Sequence, residues 1–366
     1  MKINFIQDIA SPHNNVFIQA LEEDQSIDLS LWYCVHNPEM YGWKEDLTNA
    51  IKPANMYKQK SIDFKFLWHC LKNTKEKYLV VGWQNINTKL LMLLFFITRR
   101  SYAVWFDLPN DERERNFVKR FFRNFFYFIL KHSNAHVFGV GQMTLDYFKS
   151  RGFKEKHLTN LPIFVDVSKN PEDYRKNKAD IFKKYNVTDD GFLLSAGSRL
   201  IYEKGFDILI DAIAKLPDDI KSKVKCVIVG KGEEEENLKA QIKKNGLSDI
   251  VVMEPWMEFD TFCALIASSY LFIHPCRFDA YGGTTIAHSL STPVLGSVGA
   301  GAAYDRIING ENGYLYENNS ANELARLIVQ CYNAPNDVKT MAKKARLTAE
   351  KWSPEMGVRM IEKGMI

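Results

Sequence analysis

The sequence contains no C-x-x-C pair, no D-x-D, no P-loop and no apolar run long enough to span a bilayer. Each absence removes a class of protein. The six cysteines (Cys34, Cys70, Cys226, Cys263, Cys276, Cys331) stand singly in apolar surroundings. They are expected to be buried thiols in a reducing compartment, not a disulfide or zinc framework. Without D-x-D there is no carboxylate pair of the kind that holds a metal–diphosphate complex. His132 and His136 are four apart but have no third ligand nearby, so no metal site is expected. GxxxxGK[ST] and GxSxG are both missing, which argues against P-loop nucleotide hydrolysis and the hydrolase nucleophile elbow. The most apolar run, Leu90–Ile97, is far short of the roughly 20 residues a membrane helix needs. MKINFIQDIA begins directly as a strand, without the basic-then-apolar pattern of a secretory signal. The expectation is a cytoplasmic protein, at most associated with the cytoplasmic face of a membrane. A net charge of +4 is too small to imply nucleic acid.

What is present is alternation. KINFIQ, LSLWYCV, YLVVGW, YAVWFDL and AHVFGVG read as strands, separated by helical patterns such as Asn15–Glu23, Thr88–Thr98 and Arg113–His132. FLLSAGS, KCVIVGKG, IVVMEP, YLFIHP, PVLGS and GYLYE repeat the scheme in the second half. Strand–helix alternation predicts parallel, doubly wound sheets. A chain of 366 residues suits two such domains. The predicted boundaries are an N-terminal domain over 1–168, a polar linker over 169–190, a C-terminal domain over 191–350, and a last helix over 351–366. That helix is redirected toward the N-terminal domain after Pro354. Ligands on such sheets sit at the carboxyl ends of strands. That draws attention to Asp8, His13, Asn14 and Asn15 after the first strand, to Gln84–Asn87, and to Asp107.

Three stretches of the second half carry chemistry. Phe272–Ser297, FIHPCRFDAYGGTTIAHSLSTPVLGS, reads as strand, polar turn, glycine pair, helix and strand. Gly282 and Gly283 would let backbone N–H groups approach a ligand at a helix N-terminus that favours anions. GSRLIYEKGFDILIDAI, Gly197–Ile213, sets Arg199 and Lys204 around a strand–helix turn. A forked cation and a point charge suit a diphosphate. Val229–Ile242 places Gly230 and Gly232 between a strand and a helix, with Glu233–Glu236 read as first-turn acids that complement the dipole. Trp256 and Met257, after IVVMEP, could flank a base or simply pack. In the first half, Arg113–Ile129 has phenylalanines on one helical face and Arg113, Lys119, Arg120 and Arg123 on the other. The aromatic face is expected in the core, with the basic face toward a membrane or a lipid diphosphate.

GSRLIYEKGFDIL, VGKGEE, HPCRFDAYGG…TPVLGS and VGAGAAYDRIINGENGYLYE together resemble, in order and spacing, the donor domain of retaining family 4 GT-B glycosyltransferases. The resemblance covers about Leu193–Ile328; the first half matches only in its strand–helix pattern. It implies an α/β GT-B fold, two Rossmann-like domains facing across a cleft. It also implies metal-independent transfer from a nucleotide sugar with retention, and no cofactor beyond that substrate. Arg199 and Lys204 would hold the diphosphate, and Asp279 would take the place of the first Glu of the family's E-x7-E motif. Gly197, Ser198, Gly230, Trp256, Met257, Tyr281, Gly282, Gly283, Thr284 and Thr285 would surround the donor. Asp8, His13, Asn14, Asn15 and Asp107 would face it from the other domain. The implied acceptor is a glycan or lipid-linked glycan of surface polysaccharide synthesis. The second Glu of the motif is missing. Ile286, Ala287 and His288 are the candidates for its place, and of these only His288 could bond a ribose hydroxyl. The departure points to a dTDP-sugar donor or to a catalytically inactive domain that scaffolds a synthesis complex. A sugar-nucleotide epimerase is a weaker option, since the acid and base side chains it needs are not visible.

Overall fold

The computed structural model describes residues 1–9, 11–35, 55–83, 85–110, 116–278 and 281–365. They divide into two compact units, Met1–Phe164 with Pro354–Ile366, and Val165–Ser353.

Strands of the first unit are β1 (Lys2–Ile9), β2 (Asp28–Val35), β3 (Asn55–Met56), β4 (Lys77–Val81), β5 (Ser101–Phe106), β6 (Asn134–Gly139) and β7 (Leu158–Asn160). Among the described residues they form one parallel sheet in the order β3-β2-β1-β4-β5-β6-β7. A parallel sheet must be covered on both faces, which is why its strands are near-continuous apolar runs. Ile3, Phe5, Ile6, Leu79, Val80, Ala103 and Val104 are accordingly fully buried. Helices begin where short polar side chains satisfy their first N–H groups. Asp63 accepts from Lys65 and Phe66, Asn85 from Asn87, and Asn116 from Lys119.

Helix Pro354–Met365 packs on this first unit. Gly357 is close enough that a Cβ there would meet the Phe164 ring at 2.5 Å and Phe17 at 2.8 Å. Gly364 stands in the same relation to Phe138, at 2.6 Å. Ser26 donates to Glu362 at 2.6 Å.

One expectation fails here. On helix Phe117–His132 the buried side chains are Tyr127, Ile129 and Leu130. Phe117, Val118, Phe121, Phe122, Phe125 and Phe128 are instead 41–74% exposed. The aromatic stripe therefore faces outward. Residues 116–122 are exposed on every side and the buried side chains all lie in the second half of the helix, so its amphipathic periodicity predicts a helix without saying how much of it reaches the core.

The second unit has β8 (Phe192–Gly197), β9 (Val224–Val229), β10 (Val251–Glu254), β11 (Leu271–His274), β12 (Val294–Ser297) and β13 (Gly313–Tyr316). They too form a parallel sheet among the described residues, ordered β10-β9-β8-β11-β12-β13. The order reverses beside β8, so the loops after β8 and β11 border the switch point where ligands bind in open α/β sheets. The polar stretch after Ser168 is not extended: it contains helices Pro171–Arg175 and Lys178–Lys184 and is part of this unit. Arg175 ties it down by donating to the carbonyls of Ala267, Leu290 and Ser291.

Candidate functional site

At the carboxyl ends of β8, β9, β11 and β12 the loops interlock through glycines. A Cβ on Gly205 would lie 2.0 Å from the carbonyl oxygen of Pro275, and one on Gly230 only 1.9 Å from that of Ser198. Gly232 meets Leu200 in the same way at 2.1 Å, and Gly299 meets Arg277 at 2.3 Å. Gly205 also has a φ of +66°, joining the turn Tyr202–Lys204 to helix Phe206–Ala214 in a conformation that side-chain-bearing residues resist. No larger residue fits at these crossings without moving backbone.

Arg277 locks the loops together. Its guanidinium makes a two-pronged pair with Asp207 at 2.8 and 2.6 Å, and it donates to the Tyr202 carbonyl at 2.8 Å and to Asn319 at 2.7 Å. It also lies over the Tyr202 ring at 4.0 Å. The Glu203 carbonyl accepts from the backbone of Arg277 and Phe278, at 2.8 and 3.2 Å. The turn carrying Lys204 and the loop after β11 thus form one rigid piece, with the guanidinium held firmly charged by the Asp207 hydrogen bonds. In the sequence Arg277 stands in the polar turn after β11 with no role assigned to it. Its partner lies 70 residues away, and no local pattern pairs them.

Around this piece the expected residues fall into two groups. Arg199, just past β8, is exposed, and its side chain has no hydrogen bond or ion pair among the described residues. Lys204 is only 7% exposed and is engaged within the fold. Gly197 and Ser198 end β8, Ser198 donating from its backbone to the Val229 carbonyl at 3.0 Å. Trp256 is half exposed after β10, while Met257 is partly buried against the core cluster that includes Tyr185, Val229 and Leu265. Asp279 lies outside the described residues, as does Gln84.

The glycine-pair segment differs from its sequence reading. Gly283 is small because the Phe272 ring, 2.7 Å from where a Cβ would be, leaves no room; packing, not ligand approach, accounts for it. Thr284 and Thr285 are buried, their hydroxyls bonded to His274 at 2.8 Å and to the Gly282 carbonyl at 3.0 Å. Tyr281 turns inward, where its hydroxyl accepts from the buried Arg306 at 2.8 Å. His288 is fully buried with neither ring nitrogen hydrogen-bonded. Burial, then the Arg306 charge, push its pKa down to about 3, so it is neutral. Tyr281 and His288 therefore lie with their side chains in the core. Of Ile286, Ala287 and His288, only Ile286 retains exposure.

In the first unit, Asp8 at the end of β1 accepts from the Tyr57 hydroxyl at 2.6 Å and the Asn85 backbone at 3.1 Å. Desolvation raises its pKa against these bonds. Asn14 donates to Gln7 at 3.1 Å, Asn15 is engaged, and Asp107 is exposed after β5. The His13 side chain lies outside the described residues. Among the described residues no cluster of three or more His, Cys, Asp or Glu could hold a metal.

Two parallel sheets of this order, with loops knitted at the switch point of the second, define the GT-B class of α/β fold. Residues 177–348, most of the second unit, match the family model Glycosyl transferases group 1. An uncharacterized glycosyltransferase of Methanocaldococcus jannaschii is 28% identical over 228 residues, 58% of this chain and 62% of the relative. A GDP-mannose-dependent monoacylated alpha-(1-6)-phosphatidylinositol monomannoside mannosyltransferase of Corynebacterium glutamicum is 27% identical over 236 residues, 60% and 59% of the two chains. The chain spans about three-fifths of the length of these relatives. In fold, it is similar to Anabaena HepE in complex with UDP, with a TM-score of 0.76, 19% identity and 99% of each chain covered.

Proposed function

We propose that the protein is a retaining, metal-independent family 4 glycosyltransferase that moves a sugar from a nucleotide diphosphate donor to a glycan or lipid-linked glycan acceptor. Surface polysaccharide or lipopolysaccharide synthesis in the cytoplasm is its setting, with peripheral contact to the inner membrane face through the helix read from sequence as Arg113–Lys131. The observation that carries the reading is the rigid piece built by Arg277 and Asp207, which sets the Lys204 turn beside the exposed Arg199 at a strand-end switch point. In transfer, charge develops on the departing diphosphate. Fixed cations in a water-poor site stabilise that charge, an effect worth about 10²–10³ in rate for a single group. Arg199, free to move, meets the phosphates, and Lys204 supplies a fixed positive charge. The nucleotide-sugar partner draws support from HepE, named with UDP, and a lipid-linked acceptor from the phosphatidylinositol mannoside of the mannosyltransferase's name.

Ile286 bears on the donor. It is the outward residue of its helix, and an alkyl group cannot accept from a ribose hydroxyl. A dTDP-sugar, lacking the 2′-hydroxyl, loses nothing there, whereas a UDP- or GDP-sugar forgoes about 1–3 kcal/mol. The same observation favours the second reading, a GT-B domain that binds nucleotide or glycan without turnover. Thermal shift against UDP-, GDP- and dTDP-sugars, followed by a transfer assay, separates the two. Stabilisation with turnover supports the enzyme, and binding without hydrolysis or transfer across many acceptors supports the scaffold. Lys204→Ala is expected to lower turnover by about 10²–10³; unchanged turnover would refute its role.

A further inference from the structure

Helix Thr284–Ser289 follows the loop after β11 and carries Ile286, the residue on which the donor argument turns. It is less than two turns long. A helix that short does not hold itself, because nucleation costs more than its few internal bonds return. Its front is fixed by the bond between the Thr284 hydroxyl and His274, and by Tyr281, whose hydroxyl accepts from Arg306 at 2.8 Å. Its rear leaves carbonyls without helical partners. Those of Ser289, Leu290 and Ser291 receive guanidinium donors instead. Arg346 bonds Ser289, and Arg175 bonds Leu290 and Ser291, both at 3.1 Å. Cations at that end also complement the helix dipole. Ser291 leaves the helix with a φ of +55°, a left-handed conformation that a residue with a side chain adopts at a cost.

The two arginines come from the segments where the chain passes between its units, after Phe164 and after Ser353. Arg175 follows the first passage and Arg346 precedes the second. Arg346 directs its remaining donors to the first of these segments. It donates to the carbonyls of Val167 and Lys169, and its Nε donates to Glu350 at 2.7 Å. An ordinary surface arginine of helix Pro335–Lys351 would be satisfied by Glu350 alone. The carbonyls that Arg346 reaches are instead 57 to 179 residues away in sequence. One guanidinium, 19% exposed, thus joins both connecting segments to the rear of the short helix. An ammonium, a single point charge, cannot reproduce that fork.

We propose that Arg346, with Arg175, is a positioning residue of the transfer reaction. Through it the segments that connect the units set where helix Thr284–Ser289 stands at the switch point. A ligand that orders the helix orders those segments in turn, because coupling of this kind is reciprocal. The arginines act through the helix, and a misplacement of about 1 Å at a reacting group can cost about 10² in rate. The consequence for catalysis rests on the transferase reading above; the grip on the helix rests on the hydrogen bonds alone.

The test uses the full chain, Arg346→Met and the conservative Arg346→Lys. In the ligand-free protein, amide hydrogen exchange over 284–292 is expected to be about tenfold faster in Arg346→Met and unchanged across β8 and β9. With UDP or dTDP added, the parent is expected to gain protection over 284–292 and over 165–169, and the variant to lose the second response. With a nucleotide sugar that the parent turns over, kcat is expected to fall about tenfold or more while the donor KM stays within about twofold. Arg346→Lys is expected to recover little of that loss. Ile328→Val, in the core cluster away from this helix, should lower the melting temperature without lowering kcat. Unchanged exchange over 284–292 in Arg346→Met overturns the proposal, whether or not a donor is found. So does a loss of kcat that Ile328→Val reproduces at the same melting temperature. Should Arg346→Met fail to fold, the same exchange comparison on Arg346→Lys decides. A parent that neither binds these nucleotides nor transfers sugar overturns the transferase reading, and the ligand-free exchange still decides the grip on the helix.

Discussion

The two units share an architecture and differ in where their polar and apolar side chains are spent. Both are parallel sheets whose strand-end loops are tied by charged groups. The first unit uses the Asp8 carboxylate, held by Tyr57 and Asn85. The second uses the Arg277 guanidinium, held by Asp207, Tyr202 and Asn319. The second then sets two cations at its switch point, while the first turns a row of phenylalanines outward on its helical flank. One fold thus supports a polar, hydrogen-bonded set of loops in one unit and an outward apolar face in the other. Loops and helix surfaces are free to diverge once the sheet core is secured.

The largest expected effect tests whether those phenylalanines are surface residues. Phe95 is fully buried in the core of the first unit, against Tyr78 and Tyr102. Phe95→Ala is expected to cost about 3–5 kcal/mol. Phe121→Ala, one turn into helix Phe117–His132, is expected to cost within about 0.5 kcal/mol. Urea unfolding curves of both variants check the contrast. Equal losses would mean that the stripe is packed, and the difference between the units would disappear.

How much of this was legible in the sequence follows from the range of each signal. Strands such as YLVVGW and KCVIVGKG are local, continuous and apolar, so parallel sheets could be read directly. The outward stripe could not, because periodicity does not say that only the second half of Phe117–His132 reaches the core. Helix Thr284–Ser289 is less than two turns long, too short for periodicity to say that His288 points in and Ile286 out. Arg199 and Lys204 stood out by their spacing around a glycine. The Arg277–Asp207 pair joins loops far apart in sequence and needed coordinates.

That pair gives the next effect. Arg277→Ala removes the two-pronged contact, the Tyr202 and Asn319 bonds and the stacking, leaving Asp207 partly exposed to water. The expected loss is about 1–3 kcal/mol, moderated by that exposure. Asp8→Ala in the first unit is expected to fall in the same range. Only Arg277→Ala should also reduce the thermal shift caused by a nucleotide sugar. If the Asp8 variant reduced it equally, the division of roles between the units would be wrong.

The smallest effect concerns one imidazole in each unit, half-buried in the first and fully buried in the second. His136, bonded to Thr159 at 2.8 Å, has its pKa lowered to about 4 by burial and then by His157. His288, without a bonded partner, is lowered to about 3 by burial and Arg306. In the unfolded chain both titrate near 6.5. Below that pH the unfolded state takes up protons that the native state does not, so stability falls on acidification. The contribution of each is fully present above pH ~6.5 and is lost progressively toward the folded value. Between pH 7.5 and 6 the expected loss is below about 1 kcal/mol per histidine. Over that range the two sites should look alike; nearer pH 4 the His136 contribution levels off while that of His288 keeps falling. Chemical denaturation across this range, with His288→Leu and His136→Leu, separates them. Each substitution should flatten the pH slope of its own unit. A His288→Leu slope identical to that of the parent would mean that His288 is hydrated in the native state, and would return it to the residues available to a ligand.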